Sequence, residues 1–311
     1  MTRLRIAVIG VGHLGKNHAR VISELPQCEL AGVCDLDEES LNEVSSRIGV
    51  PAFTDYTQLL GKVDAVTVVV PTALHHRVSS FFLDAGVHVL CEKPVTKSLE
   101  EARSLIALAE ERKVLLQIGH IERFNAAFMK VCDHIGDPRY IECQRLGPFT
   151  PRVRDVGVVL DLMIHDIDLV LSLIDSPIER IDAMGVRVFT PNEDMANAHI
   201  VFRNGCIANI NASRLTKERV RKLRVFTSDS YYSLDFGEQS FKSMKLDNGQ
   251  IAEHEFVQEE KREPLKDEIS HFVECISQRK QPMVTGVQGR DALAVALMIL
   301  DEIQRGWSLR T

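Results

Sequence analysis

The chain has 311 residues, 45% of them hydrophobic, and a formal net charge of −7 at pH 7. That length suits two domains, because single cores stop growing at roughly 250–300 residues, and the apolar content is far from that of a disordered chain. The acidic balance argues against a general nucleic-acid binder, which needs a basic surface to release counterions, though it leaves room for a local basic patch.

A β-branched run at 5–9 ends at Gly10 and predicts a buried strand. Helical spacing at 17–25, a strand at 29–34 and an amphipathic helix at 40–48 follow. A third strand at 65–70, a helix at 73–84, a fourth strand at 88–91, a long helix at 98–112 and a fifth strand at 114–118 continue the pattern. Strands alternating with helices of this length predict a doubly wound α/β domain: a parallel sheet, helices on both faces and right-handed crossovers.

Beyond residue 120 the pattern changes. Strand-like runs at 138–146, 182–189, 196–202, 206–212, 223–227 and 231–236 have few helices between them, which predicts an antiparallel sheet. Asn204-Gly205 and Asn248-Gly249 are type I′ hairpin signals, since both positions of that turn need φ > 0. One helix at 158–174 interrupts the sheet, and helices at 265–278 and 289–305 close the chain. The expected division is a Rossmann domain over 1–120 and an α+β domain over 121–311.

Seven cysteines, none in a CxxC pair and several within apolar runs (Cys34, Cys91, Cys206), predict reduced, buried thiols in a reducing compartment. Apolar runs such as 293–300 fall well short of the about 20 residues that a membrane span needs. Residues 1–15 are basic and then apolar, but run into glycines and His13 rather than a small-residue cleavage site. A cytoplasmic protein with neither nucleic acid nor membrane as partner is expected.

Gly10-Val11-Gly12-His13-Leu14-Gly15 is G-x-G-x-x-G placed directly after a strand and opening a helix. The first glycine permits a tight turn, the second lets backbone approach a pyrophosphate, and the third lets helix and strand pack closely. The helix N-terminus then offers unsatisfied N–H groups to the phosphates. Asp35 ends the second strand about 20 residues on, where a carboxylate accepts from a ribose 2′-hydroxyl. The alternative is a glycine-rich turn with a capping aspartate. A 2′-phosphate would be repelled by Asp35, and Leu36, Asp37, Glu38 and Glu39 bring no arginine, so NAD is expected over NADP.

Lys93, in Cys91-Glu92-Lys93-Pro94, follows the fourth strand and so stands at the carboxyl edge of the sheet, where doubly wound folds bind ligands. A lysine there can stabilise charge developing on a substrate oxygen; from position alone it serves equally as a solvated surface residue. In a regular helix Asp161, His165 and Asp168 fall at i, i+4 and i+7, on one face. A histidine can take a hydroxyl proton near neutral pH while a carboxylate orients it. The competing readings are a capped histidine on an ordinary amphipathic helix and a metal site, and no further Cys/His cluster supports the metal. His75-His76 is expected near the cofactor rather than on a metal.

Together, the glycine turn, Asp35, Pro71-Thr72, Glu92-Lys93-Pro94 and Asp161-x-x-x-His165 resemble the Gfo/Idh/MocA family of sugar and inositol dehydrogenases, and the likeness extends to the closing Gly289-Arg290-Asp291-Ala292 helix and Gly306. The resemblance implies a dinucleotide held by Gly10, Gly12, His13, Leu14, Gly15, Asp35, Pro71, Thr72, His75, Glu92 and Lys93. It implies that Lys93, Asp161 and His165 flank the reacting hydroxyl while hydride passes to nicotinamide C4. It also implies an open antiparallel sheet in the second domain, whose free face joins subunits into a homodimer or homotetramer. One departure is visible: the family often has glycines ahead of Asp-x-x-x-His, whereas Gly157-Val158-Val159-Leu160 keeps one.

Gly119-His120-Ile121-Glu122-Arg123-Phe124-Asn125 is similar to the branch that oxidises C3 of UDP-N-acetylglucosamine or related nucleotide sugars, which implies substrate contacts from Arg123 and Asn125. Arg214, Lys217, Arg219, Arg221, Lys222 and Arg224 crowd one stretch of an otherwise acidic chain and suit a diphosphate if they line a cleft; facing solvent or a neighbouring subunit is the alternative. Rival functions on the same residues are a free sugar or inositol dehydrogenase, an NAD-dependent glycoside hydrolase that oxidises C3 transiently, and a non-catalytic sensor of sugar or dinucleotide.

Overall fold

The computed structural model describes residues 3–150, 156–247 and 249–309. The chain divides into two compact units, Met1–Ile121 with Glu263–Arg290 and Glu122–Arg262 with Asp291–Thr311. The strands are β1 Leu4–Ile9, β2 Cys28–Cys34, β3 Ala52–Phe53, β4 Ala65–Val68, β5 His88–Glu92, β6 Leu116–Gly119, β7 Tyr140–Leu146, β8 Ile178–Val186, β9 Met195–Phe202, β10 Ile207–Ser213, β11 Val220–Phe226, β12 Ser230–Asp235, β13 Ser240–Asp247 and β14 Gln250–Val257. The α-helices are α1 Gly15–Glu24, α2 Glu38–Ile48, α3 Thr72–Asp84, α4 Leu99–Arg112, α5 Ala126–Val131, α6 Ile164–Leu173, α7 Pro264–Gln278 and α8 Gly286–Ser308.

In the first unit six parallel strands lie in the order β3-β2-β1-β4-β5-β6. Every residue of β4 is buried, as a parallel strand covered on both faces requires. The order reverses between β1 and β4, the switch point beyond whose strand ends such sheets bind ligands. Ser98 caps α4 by accepting from the Glu101 N–H at 3.2 Å, and Gly49 ends α2 in the left-handed region. The two-residue β3 carries too little pattern to show in the sequence; Phe53 packs so closely on Gly32 that a Cβ there would lie 2.6 Å from its ring.

The chain re-enters this unit at Glu263. Leu265, Ile269 and Phe272 of α7 pack with Val8, Ile22 and Leu90, supplying apolar surface that the first 120 residues leave incomplete. Thr285 then bridges Gln117 of β6, and the N–H of Ile118 donates to the Val284 carbonyl at 3.0 Å. The closing helix starts at Gly286, ahead of the expected 289. Thr285 and Gln288 form its capping box: the Thr285 N–H and hydroxyl donate to Gln288 Oε1 at 2.6 and 2.9 Å.

The second unit is an eight-stranded sheet in the order β14-β13-β12-β11-β7-β10-β9-β8. Its neighbours are antiparallel except β7 and β10, which run parallel because β8, β9 and β10 form a meander that returns alongside β7. Along β9 buried and half-buried residues alternate, and Ala198, Ile200, Phe202, Ala208 and Ile210 face the core with α6 and the latter part of α8. β13 and β14 are largely exposed and lack that alternation, so the sequence did not predict them.

Asn204-Gly205 makes a hairpin, but not a type I′ turn. Only Gly205 has positive φ, the N–H of Gly205 donates to the Phe202 carbonyl at 2.9 Å, and the three-residue loop closes through Phe202 N–H to the Cys206 carbonyl. Asn204 contributes its side chain, Oδ1 accepting from the Cys206 N–H at 3.1 Å. Asn248 of the second expected turn lies outside the described residues.

The β8–β9 connection is organised by Asp194, which is fully buried. Its Oδ2 accepts from the N–H groups of Val188, Phe189 and Thr190 at 2.7, 2.6 and 3.0 Å, and Oδ1 accepts from Arg214 Nε at 2.7 Å. Burial alone would push this carboxyl up; the three backbone donors and Arg214 outweigh it and hold the group well below the ordinary range. A depressed folded pKa stabilises the fold above the ordinary aspartate value of about 3.9 and ceases to do so as pH falls towards the folded value. Asp194→Asn is therefore predicted to cost about 3–5 kcal/mol near neutrality by stranding Arg214, with the deficit shrinking as pH falls below about 4. Urea unfolding followed by Trp307 fluorescence measures this, since that indole donates to the Gly185 carbonyl at 2.8 Å within the same unit.

Candidate functional site

At the end of β1 the chain turns through Gly10, whose φ is +90 and whose Cβ, if present, would lie 2.6 Å from the Val69 carbonyl oxygen. A Cβ on Gly15 would sit 1.9 Å from the Gly10 carbonyl oxygen, so only glycine lets α1 start this close to the strand. Gly12 is open on its Cα side, with nothing within 4 Å. Gly12, His13 and Leu14 form the exposed lip of the turn. The first turn of α1 has no acidic residue and no side-chain cap, which leaves its positive end available to a phosphate. Asp35 is held at the end of β2: Oδ2 accepts from the Val11 N–H at 2.6 Å and Oδ1 from the Asp37 N–H at 3.0 Å. These features fit a dinucleotide: a bare backbone approach, free N–H groups and a carboxylate at the ribose position.

Two strands further along, β5 delivers Glu92, Lys93 and Pro94, with a cis Lys93–Pro94 peptide bond and Lys93 half-buried. Glu92 Oε1 lies 3.1 Å from Nε2 of His18, a buried residue of α1. Its Oε2 accepts from the Lys93 N–H at 3.2 Å. Burial would push the Glu92 carboxyl up; His18 and Lys93 outweigh that and hold it below the ordinary range. His75 is buried under the turn, with Nδ1 2.9 Å from the Pro94 carbonyl and Nε2 2.8 Å from the Val70 carbonyl. Both of its ring nitrogens are thus engaged by main chain. Pro71 and Thr72 open α3, the first exposed and the second half-buried.

Asp161 and His165 belong to the second unit. The helix expected over 158–174 begins as a π-turn, Val159–Met163, and becomes α-helical only at Ile164. Single π-turns within helices are frequent at functional sites. The wider turn breaks the regular i, i+4, i+7 stripe: Asp161 and His165 are half-buried, whereas Asp168 is buried. The lone glycine ahead of it has a local cause. A Cβ on Gly157 would clash with the Glu193 carboxyl, whose Oε1 accepts from the Val159 N–H at 3.1 Å. Burial pushes that carboxyl up despite the hydrogen bond.

Two buried arginines hold the helix bearing His165. Arg145 of β7 reaches Asp166 through both Nε and Nη2, at 2.9 and 2.8 Å, and Glu122 through Nη1 at 2.6 Å. Arg123 Nε donates to Asp168 at 2.8 Å. Burial pushes the Asp166 carboxyl up against the pull of Arg145. Asn125 is the N-cap of α5: Oδ1 accepts from the Ala127 N–H at 3.1 Å, and Nδ2 donates to the Phe236 carbonyl at 3.0 Å. In this unit, then, Arg123 and Asn125 brace the fold.

The 214–224 cluster does not form one patch. Arg214 is buried on Asp194, Arg224 donates to Glu142 at 2.8 Å, and Lys222 and Arg221 stand near Asp235 and Glu122. Sequence reasoning missed His18, Arg145, Asp166 and Glu193; a histidine at a buried position of a helix following the glycine turn was the one available signal. Among the described residues no group of three or more His, Cys, Asp or Glu could hold a metal, and no helix is long and apolar enough to cross a membrane.

Residues 4–120 match a family model described as an oxidoreductase family with an NAD-binding Rossmann fold, and residues 132–233 match the GFO/IDH/MocA C-terminal domain. The UDP-N-acetylglucosamine 3-dehydrogenase of Acidithiobacillus ferrooxidans is 40% identical over 305 residues, covering 96% of this chain and 97% of its own. A solved structure of that enzyme matches with a TM-score of 0.92 at 39% identity, over 98% of this chain and 99% of the other. The NAD(+)-dependent scyllo-inositol 2-dehydrogenase of Bacillus subtilis is 25% identical over 326 residues, covering 98% of this chain and 95% of its own.

The glycine turn yields a direct test. Gly15→Ala must displace α1 from β1, because the added carbon meets a backbone oxygen rather than a side chain. NADH affinity, read by the cofactor's own fluorescence, is predicted to fall at least about 10-fold, a loss of about 1.4 kcal/mol or more, while Trp307 still reports an intact second unit. Unchanged affinity would show that the turn does not hold the dinucleotide.

Proposed function

The chain belongs to the Gfo/Idh/MocA family of NAD-binding oxidoreductases, and on that premise we propose that it oxidises the C3 hydroxyl of UDP-N-acetylglucosamine or a closely related UDP-N-acetylhexosamine. The observation that carries the substrate is the full-length likeness to UDP-N-acetylglucosamine 3-dehydrogenase. The inositol dehydrogenases are more distant relatives.

The cofactor of this reading is NAD, which accepts hydride at nicotinamide C4 when bound. Asp35 accepts from the ribose 2′-hydroxyl and repels a 2′-phosphate; Lys16, the nearby cation of α1, is already paired with Glu43. Lys93 and His165 manage the proton of the reacting hydroxyl between them, Lys93 stabilising charge on its oxygen and His165 exchanging the proton. Asp161 orients His165 and supports its cationic form. Arg123 acts through Asp168, as a brace for α6. Subunits pair through the open face of the second unit's sheet, where Met184, Val186, Phe226 and Met244 are exposed apolar residues. Seven unpaired cysteines suit a reducing, cytoplasmic setting.

A panel of UDP-sugars, free polyols and inositols, read by NADH absorbance with 2-oxoglutarate added in parallel to catch a recycled cofactor, tests the substrate. Preference for UDP-N-acetylglucosamine is the predicted outcome; preference for free inositol removes the nucleotide sugar. Cleavage of an aryl glycoside without net NADH would instead identify a hydrolase. Lys93→Met and His165→Ala are each predicted to lower kcat by about 10²–10⁴-fold, and His165→Ala to leave NADH affinity within about 2-fold of wild type (under about 0.5 kcal/mol). Wild-type turnover in both variants would overturn these roles.

A further inference from the structure

The turn that carries Lys93 is held from two sides by buried histidines. On the N-terminal side His18 fixes the Glu92 carboxylate, which in turn accepts the Lys93 N–H. Gly119 makes room for this arrangement, since a Cβ there would come within 3.0 Å of the Glu92 carboxyl carbon. On the C-terminal side stands His75, 1% exposed, between the carbonyl that ends the β4 segment and the carbonyl of Pro94.

The two sides differ in what they demand of an imidazole. Next to one carboxylate oxygen, His18 needs one N–H, on Nε2, and its Nδ1 is buried without a partner. His75 faces a carbonyl oxygen at each nitrogen, at 2.9 and 2.8 Å. A neutral imidazole has a single N–H and would point a lone pair at one of those oxygens, a buried repulsion that the cation avoids by donating twice.

We propose that His75 is an imidazolium that positions Lys93: it donates from both ring nitrogens to the Val70 and Pro94 carbonyls and so fixes the backbone from which the lysine projects, without touching the cofactor. This rests on the reading of Lys93 as the group that acts on the substrate hydroxyl. The site does not penalise the charge as burial alone would. Burial pulls the imidazole down, but its charge and hydrogen-bond interaction with the Cys91 sulfur on β5 and the two carbonyl acceptors raise it to about 9. Cys91 is the titratable group that acts on the ring, and both ring nitrogens face main-chain carbonyls, of Val70 after β4 and of Pro94 in the turn. A raised folded pKa makes the clamp fully present at neutral pH and removes it as pH rises through about 9.

Nitrogen-15 NMR of histidine-labelled protein tests the protonation directly, with the His75 signals assigned by their loss in His75→Asn. Both ring nitrogens are expected to show protonated shifts at neutral pH; an unprotonated nitrogen in His75 would overturn the proposal. His75→Asn can satisfy only one of the two carbonyls, so kcat is expected to fall on the order of 10- to 10²-fold with NADH affinity unchanged. A fall in NADH affinity with kcat preserved would make His75 a cofactor ligand and contradict the positioning role. If the variant does not fold, correlations from the His75 backbone to its ring nitrogens in uniformly labelled protein supply the assignment and keep the NMR decisive. Failure of the underlying reading has a different signature: Lys93→Met retains turnover while the His75 nitrogens remain protonated.

Discussion

The carbonyl oxygen of Gly10 lies where the Cβ of residue 15 would be, 1.9 Å away, and the first unit depends on that contact being with glycine. It sets how closely α1 can lie on β1, and therefore where the positive end of the helix stands above the switch point of the sheet. The same helix carries His18 one turn further on, and His18 reaches Glu92 at the end of β5. The helix that offers its N-terminus to phosphates thus also ties down the turn of Lys93. A displacement of α1 is felt at both places.

The second unit uses buried charge for a comparable purpose. Arg145 lies between Glu122 and Asp166, and Arg123 meets Asp168, all of them buried. Buried ion pairs contribute little net stability compared with apolar packing, but breaking one leaves an uncompensated charge. Their effect is to fix one rotation and height of α6 on the sheet. His165 lies next to Asp166 in sequence, so its backbone is held between two residues of that network. The π-turn ahead of α6 places Asp161 on a wider coil than regular helix would allow.

The alternation of buried strands and amphipathic helices made the first sheet legible, because a parallel strand must be apolar on both faces and the helices on one. The glycine turn was legible because each glycine answers a separate steric demand. What escaped was long-range. The periodicity of α7 marks a helix but not which core its apolar face completes, so the return of the chain at Glu263 was not visible. The internal partners of Arg123 and Asn125, Asp168 and the Phe236 carbonyl, lie 45 and 111 residues away, so adjacency in the chain does not reveal them. The basic run at 214–224 left a diphosphate patch and a solvent- or subunit-facing stretch equally open, because its counter-ions, Asp194, Glu142 and Asp235, come from other strands and turns. β13 and β14 escaped because, beyond Phe241 and Phe256 at one end, their residues are largely exposed, which removes the selection for alternating polarity.

Hydride transfer from a sugar ring carbon to NAD is the central claim, and isotopic labelling reads it without relying on any one residue. UDP-N-acetylglucosamine deuterated at C3 is incubated with the enzyme and NAD, and both products are analysed by mass spectrometry. The account predicts that the reduced cofactor carries the deuterium and that the sugar nucleotide becomes a 3-keto compound lacking it. Deuterium retained on the sugar beside unlabelled NADH, or no reduction of NAD at all, would contradict it.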